Sequence, residues 1–106
     1  MNIYEIVYLD RDNDFRLLLT ADGVAQDLSS VTKIELVDTS GVYTLDSTAS
    51  PAAFDWVSGD TGEVIIKLGH ETVAAGKYKF EFYTYDATNI NGIYWGDISV
   101  RFVQLT

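Results

Sequence analysis

The stretch GKYKFEFYTYD, residues 76–86, constrains the fold more than any other part of the chain. In an extended segment, one face would carry Tyr78, Phe80, Phe82 and Thr84, and the other would carry Lys79, Glu81, Tyr83 and Tyr85. Side chains on a strand alternate between faces with a period of two. Aromatic rings also pack well on a pleated surface. The stretch therefore predicts a central β-strand with one buried aromatic row.

Size, charge and cysteine content limit the classes of protein that fit this chain. Its 106 residues are the size of one domain, and we expect a single unit over 1–106. There is no cysteine, so the fold depends on a hydrophobic core without disulfides. The formal net charge of -9 disfavours nucleic-acid binding, because an acidic surface repels phosphate. The N-terminus has neither a basic start nor an uninterrupted apolar segment, so we expect no signal peptide and no membrane insertion.

Short strand patterns separated by turn signals fill the rest of the chain. We predict strands over 3–9, 15–19, 32–38, 42–45, 54–57, 63–68 and 93–105. Asp22-Gly23 favours a tight turn because glycine accepts a positive φ. A second turn is predicted at 58–62 and a flexible loop at 46–53. Gly96 interrupts the last strand and predicts a bulge, and residues 69–75 are the candidate for a helical turn.

The first predicted strand differs from the others because apolar residues occupy both of its faces. Its two rows are Tyr4, Ile6 and Tyr8, and Ile3, Val7 and Leu9. This pattern is typical of a strand that is covered on both sides, either by its own domain or by a neighbouring protein.

The arrangement of these elements predicts the fold class. Seven to eight short strands, with turn signals about every ten residues and no long helix, predict an all-β fold, an antiparallel β-sandwich. A small closed barrel is the alternative. The segment Ala74-Ala75-Gly76-Lys77-Tyr78-Lys79-Phe80 resembles the corner of immunoglobulin-like (Ig-like) domains at which a tyrosine hydroxyl bonds back to the upstream backbone. The resemblance implies an Ig-like sandwich with Gly76, Tyr78 and Phe80 as a structural corner.

A looser likeness covers most of the chain and rests on five short motifs. They are Asp22-Gly23, Asp27-Leu28-Ser29, Gly62-Glu63-Val64, Ala75-Gly76-Lys77-Tyr78 and Ile93-Tyr94-Trp95-Gly96. Their order resembles the N-terminal Ig-like domain of bacteriophage baseplate upper proteins and related small virion proteins. The resemblance implies a structural module that docks tail fibres or receptor-binding proteins, or decorates the particle. Such domains usually continue into a larger C-terminal part, whereas this chain ends at Thr106, which implies a free-standing adaptor or decoration subunit.

Two polar features are candidates for metal binding or catalysis. The segment 10–14 (DRDND) is similar to the start of a calcium loop, but Phe15 and Ala21 stand where an EF-hand needs Gly and Glu. We interpret it as a solvated turn and predict no metal site, with a weak calcium site as the alternative. His70 has no zinc or serine-hydrolase pattern around it and is interpreted as a surface residue. We therefore predict no catalytic residues, no enzyme activity and no cofactor.

Aromatic side chains outside the buried row are the candidate interface: Tyr83, Tyr85, Tyr94, Trp95 and Trp56. If the last strand pairs with the central one, Tyr94 or Trp95 lies near Tyr83 and Tyr85. Exposed aromatic side chains mark protein interfaces because they bury a large area at low entropic cost. They also stack on sugars, and a third interpretation places them under covering loops.

These features together predict a non-enzymatic phage virion structural protein. It would bind other virion proteins through edge strands and the aromatic face, with a homo-oligomer such as a trimer or hexamer as one arrangement. It would be made in the host cytoplasm and act in the virion, on the tail, baseplate, fibre or capsid. The alternative is a carbohydrate- or host-receptor-binding β-sandwich module that uses the same aromatic residues.

Overall fold

The protein is all-β. The structure, a computed structural model, describes residues 2–56 and 62–105. Its strands are β1 (Asn2–Leu9), β2 (Phe15–Leu18), β3 (Thr20–Ala21), β4 (Val24–Ala25), β5 (Lys33–Asp38), β6 (Thr44–Asp46), β7 (Phe54–Trp56), β8 (Glu63–Ile66), β9 (Gly76–Tyr85) and β10 (Ile93–Gln104). One 3₁₀ turn at Pro51–Ala53 precedes β7.

The strands form two packed sheets and a small hairpin. The larger sheet has the order β1-β10-β9-β5-β6, and the smaller sheet has the order β2-β8-β7. The orders β10-β9-β5 and β2-β8-β7 match the G-F-C and B-E-D orders of Ig-like sandwiches. The sheets hold five and three strands, and the β3-β4 hairpin adds two. The described residues thus contain ten strands, where seven to eight were predicted.

β1 departs from the antiparallel pattern that the sequence predicts. It runs parallel to β10, with Ile3 opposite Ile98 and Val7 opposite Phe102. The other pairings within the described residues are antiparallel. β1 and β6 are therefore the two edges of the larger sheet.

The core lies between the two sheets and is centred on the inner face of β9. Phe80, Phe82 and Thr84 are buried there, as the alternation of the sequence predicts. The neighbouring strands and the smaller sheet contribute buried aliphatic and aromatic side chains: Ile34, Leu36, Ile98, Val100, Phe102, Leu17, Val64 and Ile66. Removing this apolar surface from water is the main favourable term in folding.

Two predicted local features are confirmed. Asp22 and Gly23 both have positive φ, 52° and 78°, which is the conformation of a two-residue hairpin turn. This turn joins β3 to β4. The register between β10 and β9 shifts between Tyr94 and Gly96, which is a β-bulge, and Gly96 has φ 124°, a value that side-chain-bearing residues rarely adopt.

Other local predictions need correction. Residues 69–75 form turns and bends without a helix, and the helical turn lies at Pro51–Ala53, where proline has a suitable fixed φ. The predicted loop at 46–53 contains a turn, in which Asp46 Oδ1 accepts hydrogen bonds of 2.8 Å from the N–H groups of Thr48 and Ala49. The predicted turn at 58–62 lies outside the described residues, apart from Gly62.

Candidate functional site

The outer face of the larger sheet, which points away from the smaller sheet, carries the candidate interface. On β9 it presents the row Lys79, Glu81, Tyr83 and Tyr85, which are half-buried or exposed. Their inner neighbours Phe80 and Phe82 are fully buried. The outer face is therefore accessible to a partner over the described part of the sheet.

Three of the five candidate residues meet on this face. Tyr83, Tyr85 and Tyr94 form a group that is called the tyrosine cluster below. Tyr94 on β10 stands directly opposite Tyr83 on β9, with their ring centroids 5.6 Å apart. The Tyr83 and Tyr85 centroids are 6.5 Å apart. Both distances are within the range in which aromatic pairs attract each other, so the cluster is formed before any partner binds.

Two of the three hydroxyl groups in the tyrosine cluster donate hydrogen bonds to carboxylates. The Tyr85 hydroxyl donates a hydrogen bond of 2.6 Å to Glu35 Oε1, and the Tyr94 hydroxyl donates one of 2.7 Å to Asp97 Oδ1. The bond to Glu35, followed by burial, raises the pKa of Tyr85 to about 12. The bond to Asp97, followed by burial, raises the pKa of Tyr94 to about 12. Both bonds need the neutral phenol as donor, so both rings are neutral and held in position at neutral pH.

Charge is divided along the outer face. Carboxylates surround the tyrosine cluster: Glu35, Glu81 and Asp97. Lys77, Lys79 and Arg101, called the basic band below, lie towards the other end of β9 and β10, with Arg101 opposite Lys77. The two parts meet where Lys79 Nζ lies 3.3 Å from Asp97 Oδ2. That ion pair also contributes to keeping the pKa of Asp97 below its usual value, after the larger effect of the Tyr94 hydroxyl.

The two tryptophans lie elsewhere. Trp95 occupies the β10 bulge, and its Nε1–H donates 2.8 Å to Oγ1 of Thr84, a buried residue on the inner face. Trp56 ends β7 in the smaller sheet and packs against the core. Neither tryptophan belongs to the tyrosine cluster, and both pack against the hydrophobic core.

The corner residues have the geometry that the Ig-like resemblance implies. The Tyr78 hydroxyl donates a hydrogen bond of 2.9 Å to the carbonyl of Ala74. The Tyr78 ring packs edge-on against Tyr43 and Phe102, at centroid distances of 5.4 Å and 5.7 Å. Phe80 is fully buried, and Gly76 begins β9 with φ 148°. This corner lies on the inner side of β9, away from the tyrosine cluster, and its role is structural.

A second exposed group lies on the edge strand β1. Tyr4, Ile6 and Tyr8, called the β1 strip below, are 57%, 42% and 40% exposed on the outer face. Val7 and Leu9, which alternate with them, are buried against the core. The domain itself therefore covers only one of the two apolar rows of β1.

Asn13 contacts the free edge of β1, a role that the sequence interpretation did not give it. Its Nδ2 donates 2.9 Å to the carbonyl of Tyr8, and its Oδ1 accepts 3.0 Å from the N–H of Tyr8. The amide side chain therefore replaces a neighbouring strand at this residue, because it carries both a donor and an acceptor. An asparagine in the turn directly after an apolar edge strand is the signal that points to this contact.

Asp12 and His70, which were interpreted separately from the sequence, meet in a cleft of about 650 Å³. His70 Nε2 lies 2.6 Å from Asp12 Oδ1. The two side chains are 69% and 98% exposed, so water screens their interaction. Ser50 also lines the cleft, but among the described residues no hydrogen bond joins it to His70. The cleft thus shows no hydrogen-bonded nucleophile and base of the kind that covalent catalysis uses.

The acidic segment 10–14 does not gather further ligands. Within residues 2–56 and 62–105, no three His, Asp or Glu side chains converge on a position that could hold a metal ion. Among the same residues, no helix has the length and apolar character needed to cross a bilayer.

Comparison with known proteins adds no assignment to this geometry. The sequence matches no protein-family model, and no curated protein is significantly similar to it. The resemblance to phage virion modules therefore stays a prediction, and the structure by itself establishes the all-β fold.

Proposed function

We propose that this chain is a non-enzymatic structural module of a bacteriophage particle, an adaptor or decoration subunit that binds other virion proteins. The tyrosine cluster carries the proposal, because its three rings are held together on an accessible sheet face and not in the core. Pre-positioned aromatic side chains are typical anchors of protein interfaces. The virion assignment comes from the motif resemblance, which the Ig-like strand order supports.

The surroundings of the cluster define the chemistry of the partner surface. Glu35, Glu81 and Asp97 make this end of the outer face acidic. Lys33 Nζ already lies 4.2 Å from the centre of the Tyr85 ring, which is the geometry of a cation–π contact. A partner that presents lysine or arginine side chains between small apolar residues would complement this surface in charge and shape.

A sugar is the less favoured ligand for the cluster. Stacking on a sugar ring needs an open, flat aromatic face and free polar groups around it. Here the ring planes of Tyr83 and its two neighbours are inclined by 37° and 43°. Two of the hydroxyl groups are already bonded to carboxylates. Both observations favour a protein partner over the carbohydrate-binding alternative.

Incorporation into particles tests this proposal directly. Particles of the phage that encodes the chain would be purified by density gradient, and the chain would be quantified by mass spectrometry. We expect stoichiometric incorporation of the wild-type chain. The double variant Tyr85→Ala/Tyr94→Ala removes two anchors, and we expect its incorporation to fall at least about tenfold.

The control is Leu18→Ala, which truncates an exposed side chain on β2 of the smaller sheet and is expected to be incorporated normally. Circular dichroism would verify that both variants fold. Absence of the wild-type chain from purified particles would contradict the virion role. Normal incorporation of the double variant would contradict the role of the tyrosine cluster. Loss of glycan binding with normal incorporation would instead favour the carbohydrate alternative.

A further inference from the structure

We propose that the free edge of β1 pairs antiparallel with β1 of a second copy of this chain, about a two-fold axis that passes beside Tyr4. The two larger sheets would then join into one continuous sheet of ten strands. This contact uses the edge strand and not the tyrosine cluster, so it is independent of the proposed function.

Hydrogen bonds around β1 show which backbone groups point to its free edge. On this side, Tyr8 bonds through its N–H and C=O to Asn13, and Asp10 bonds through its N–H to the carbonyl of Gly69 at 2.7 Å. Backbone groups of successive strand residues alternate in direction, so Tyr4 and Ile6 also point their N–H and C=O groups away from β10. No described residue bonds to these groups, and they form an open template for another strand.

Asn13 and the one charge on β1 together select the register of self-pairing. Pairing centred on Ile6 would need the backbone of Tyr8, which Asn13 occupies. Pairing centred on Glu5 would place the two Glu5 carboxylates opposite each other, which is unfavourable. Pairing centred on Tyr4 avoids both problems. In this register, Tyr4 stands opposite Tyr4 of the second copy, and Ile6 stands opposite Asn2 of the second copy.

Charges along the rows of the outer face favour the same register. Arg101 stands beside Ile6, and Asp97 stands beside Asn2. One row across the strands of the first copy runs from Lys77 through Arg101 to Ile6. In the register centred on Tyr4, this row continues into the second copy through its Asn2, Asp97 and Glu81. The basic band of each copy would thus lie in line with carboxylates of the other. The register centred on Ile6 would instead align the two Arg101 side chains in one row.

A second copy also accounts for the apolar character of the strand. Glu5 is the one charged residue in β1, within a chain whose net charge is -9. The β1 strip would gain cover from the equivalent strip, and Tyr4 would pack beside Tyr4 of the second copy. An isologous contact of this kind closes as a dimer, so a trimer or hexamer would need a different surface.

Single cysteines test the register, because the chain contains no cysteine of its own. Facing residues in an antiparallel pair have Cα atoms about 5.5 Å apart, which is within the range of a disulfide. In the proposed dimer, Tyr4→Cys places two thiols opposite each other, whereas Ile6→Cys places them about four residues apart along the strands. Val42→Cys, in an exposed loop, measures the rate at which disulfides form by random collision.

We expect light scattering of the wild-type chain to show the mass of two chains as its concentration rises. Under mild oxidation, Tyr4→Cys should form disulfide-linked dimers at least about tenfold faster than Ile6→Cys or Val42→Cys. Equal urea midpoints would verify that all variants fold. A wild-type chain that stays monomeric up to millimolar concentration would overturn the proposal. So would faster cross-linking of Ile6→Cys, or a Tyr4→Cys rate no higher than that of Val42→Cys.

Discussion

The inner and outer faces of the larger sheet carry similar aromatic rings in different surroundings. On the inner face, the fully buried rings of Phe80 and Phe102 pack against each other and against the half-buried ring of Tyr78. On the outer face, Tyr83, Tyr85 and Tyr94 stay accessible, and two of their hydroxyl groups bond to carboxylates. The same strand therefore builds the core on one side and presents accessible rings on the other.

The difference shows that coverage decides the role of an aromatic residue here. The smaller sheet covers the inner rings, whereas no described strand covers the outer ones. Trp95 illustrates the point, because it lies on the inner side and bonds to Thr84, while its neighbour Tyr94 belongs to the outer cluster. The bulge between Tyr94 and Gly96 then shifts the register by one residue, so Gly96 and Ile98 lie on the inner side although they are an even number of residues from Tyr94.

The largest expected effect is that of truncating an inner ring. Phe82→Ala should lower the free energy of unfolding by about 3–5 kcal/mol, because it removes a fully buried side chain and leaves a cavity. Urea unfolding monitored by circular dichroism measures this loss. The matched outer variant Glu81→Ala should change stability by less than about 1 kcal/mol. Similar losses for the two variants would remove the distinction between the faces.

A smaller effect is expected where the bulge meets the inner row. Thr84→Val keeps the volume of the side chain but removes the acceptor of the Trp95 Nε1–H hydrogen bond. Losing this buried bond should destabilise the fold by about 1–2 kcal/mol and shift the tryptophan fluorescence. Thr44→Val, at an exposed threonine on β6, is the control and should be nearly neutral. An unchanged midpoint and spectrum for Thr84→Val would mean that Trp95 does not depend on the inner face.

The structural corner should contribute less again. Tyr78→Phe removes the hydrogen bond to Ala74 but keeps the ring contacts with Tyr43 and Phe102. We expect a loss of about 1 kcal/mol in unfolding free energy, which is the net value of one hydrogen bond. An unchanged urea midpoint for this variant would mean that the hydrogen bond of the Tyr78 hydroxyl does not stabilise the corner.

The smallest expected effect at neutral pH is that of the hydroxyl bonds of the outer tyrosines. These bonds should be visible in an alkaline titration. Tyr85 and Tyr94 have pKa values raised from 10.0 to about 12. A raised pKa means that the folded state favours the protonated phenol, so this stabilisation is complete below pH 10 and is lost as the pH rises towards 12. Burial also raises the pKa values of Tyr78 and Tyr83. Ultraviolet absorbance should show Tyr85 and Tyr94 ionising near pH 12.

Glu35→Gln provides the control for that titration. It removes the carboxylate that is the first cause of the Tyr85 shift, so the Tyr85 step should move towards pH 10 while the Tyr94 step stays near 12. Ionisation of Tyr85 and Tyr94 near pH 10 in the wild-type chain would show that the outer hydroxyl bonds do not persist in solution.

Much of the fold could be predicted from alternation and turn chemistry. The inner row of β9, and that of β10 after its bulge, follow a strict period of two. The Asp22-Gly23 turn requires positive φ values that these residues accept. The gathering of Tyr83, Tyr85 and Tyr94 also follows from alternation once β9 and β10 pair. These features depend on neighbours in the chain or on a single strand pairing.

Features that depend on distant packing could not be predicted. Asp12 and His70 are 58 residues apart, and only the folded loops bring them together. The helical turn forms at Pro51–Ala53 and not at 69–75, where the Gly69 carbonyl instead accepts a hydrogen bond from Asp10, directly after β1. The two-sided apolar pattern of β1 indicated a covered strand, but the pattern alone could not show that the domain covers one side and leaves the other open.

The most direct test of the central claim, that the outer face ends in an edge left open for assembly, is residue-resolved amide hydrogen exchange at low and high protein concentration. Glu5 and Val7 point their N–H groups to β10 and should be protected at both. Tyr4 and Ile6 should exchange rapidly in dilute solution and become protected when a second copy pairs with the edge. Protection of Tyr4 and Ile6 in the dilute monomer, or rapid exchange at every concentration, would contradict the account.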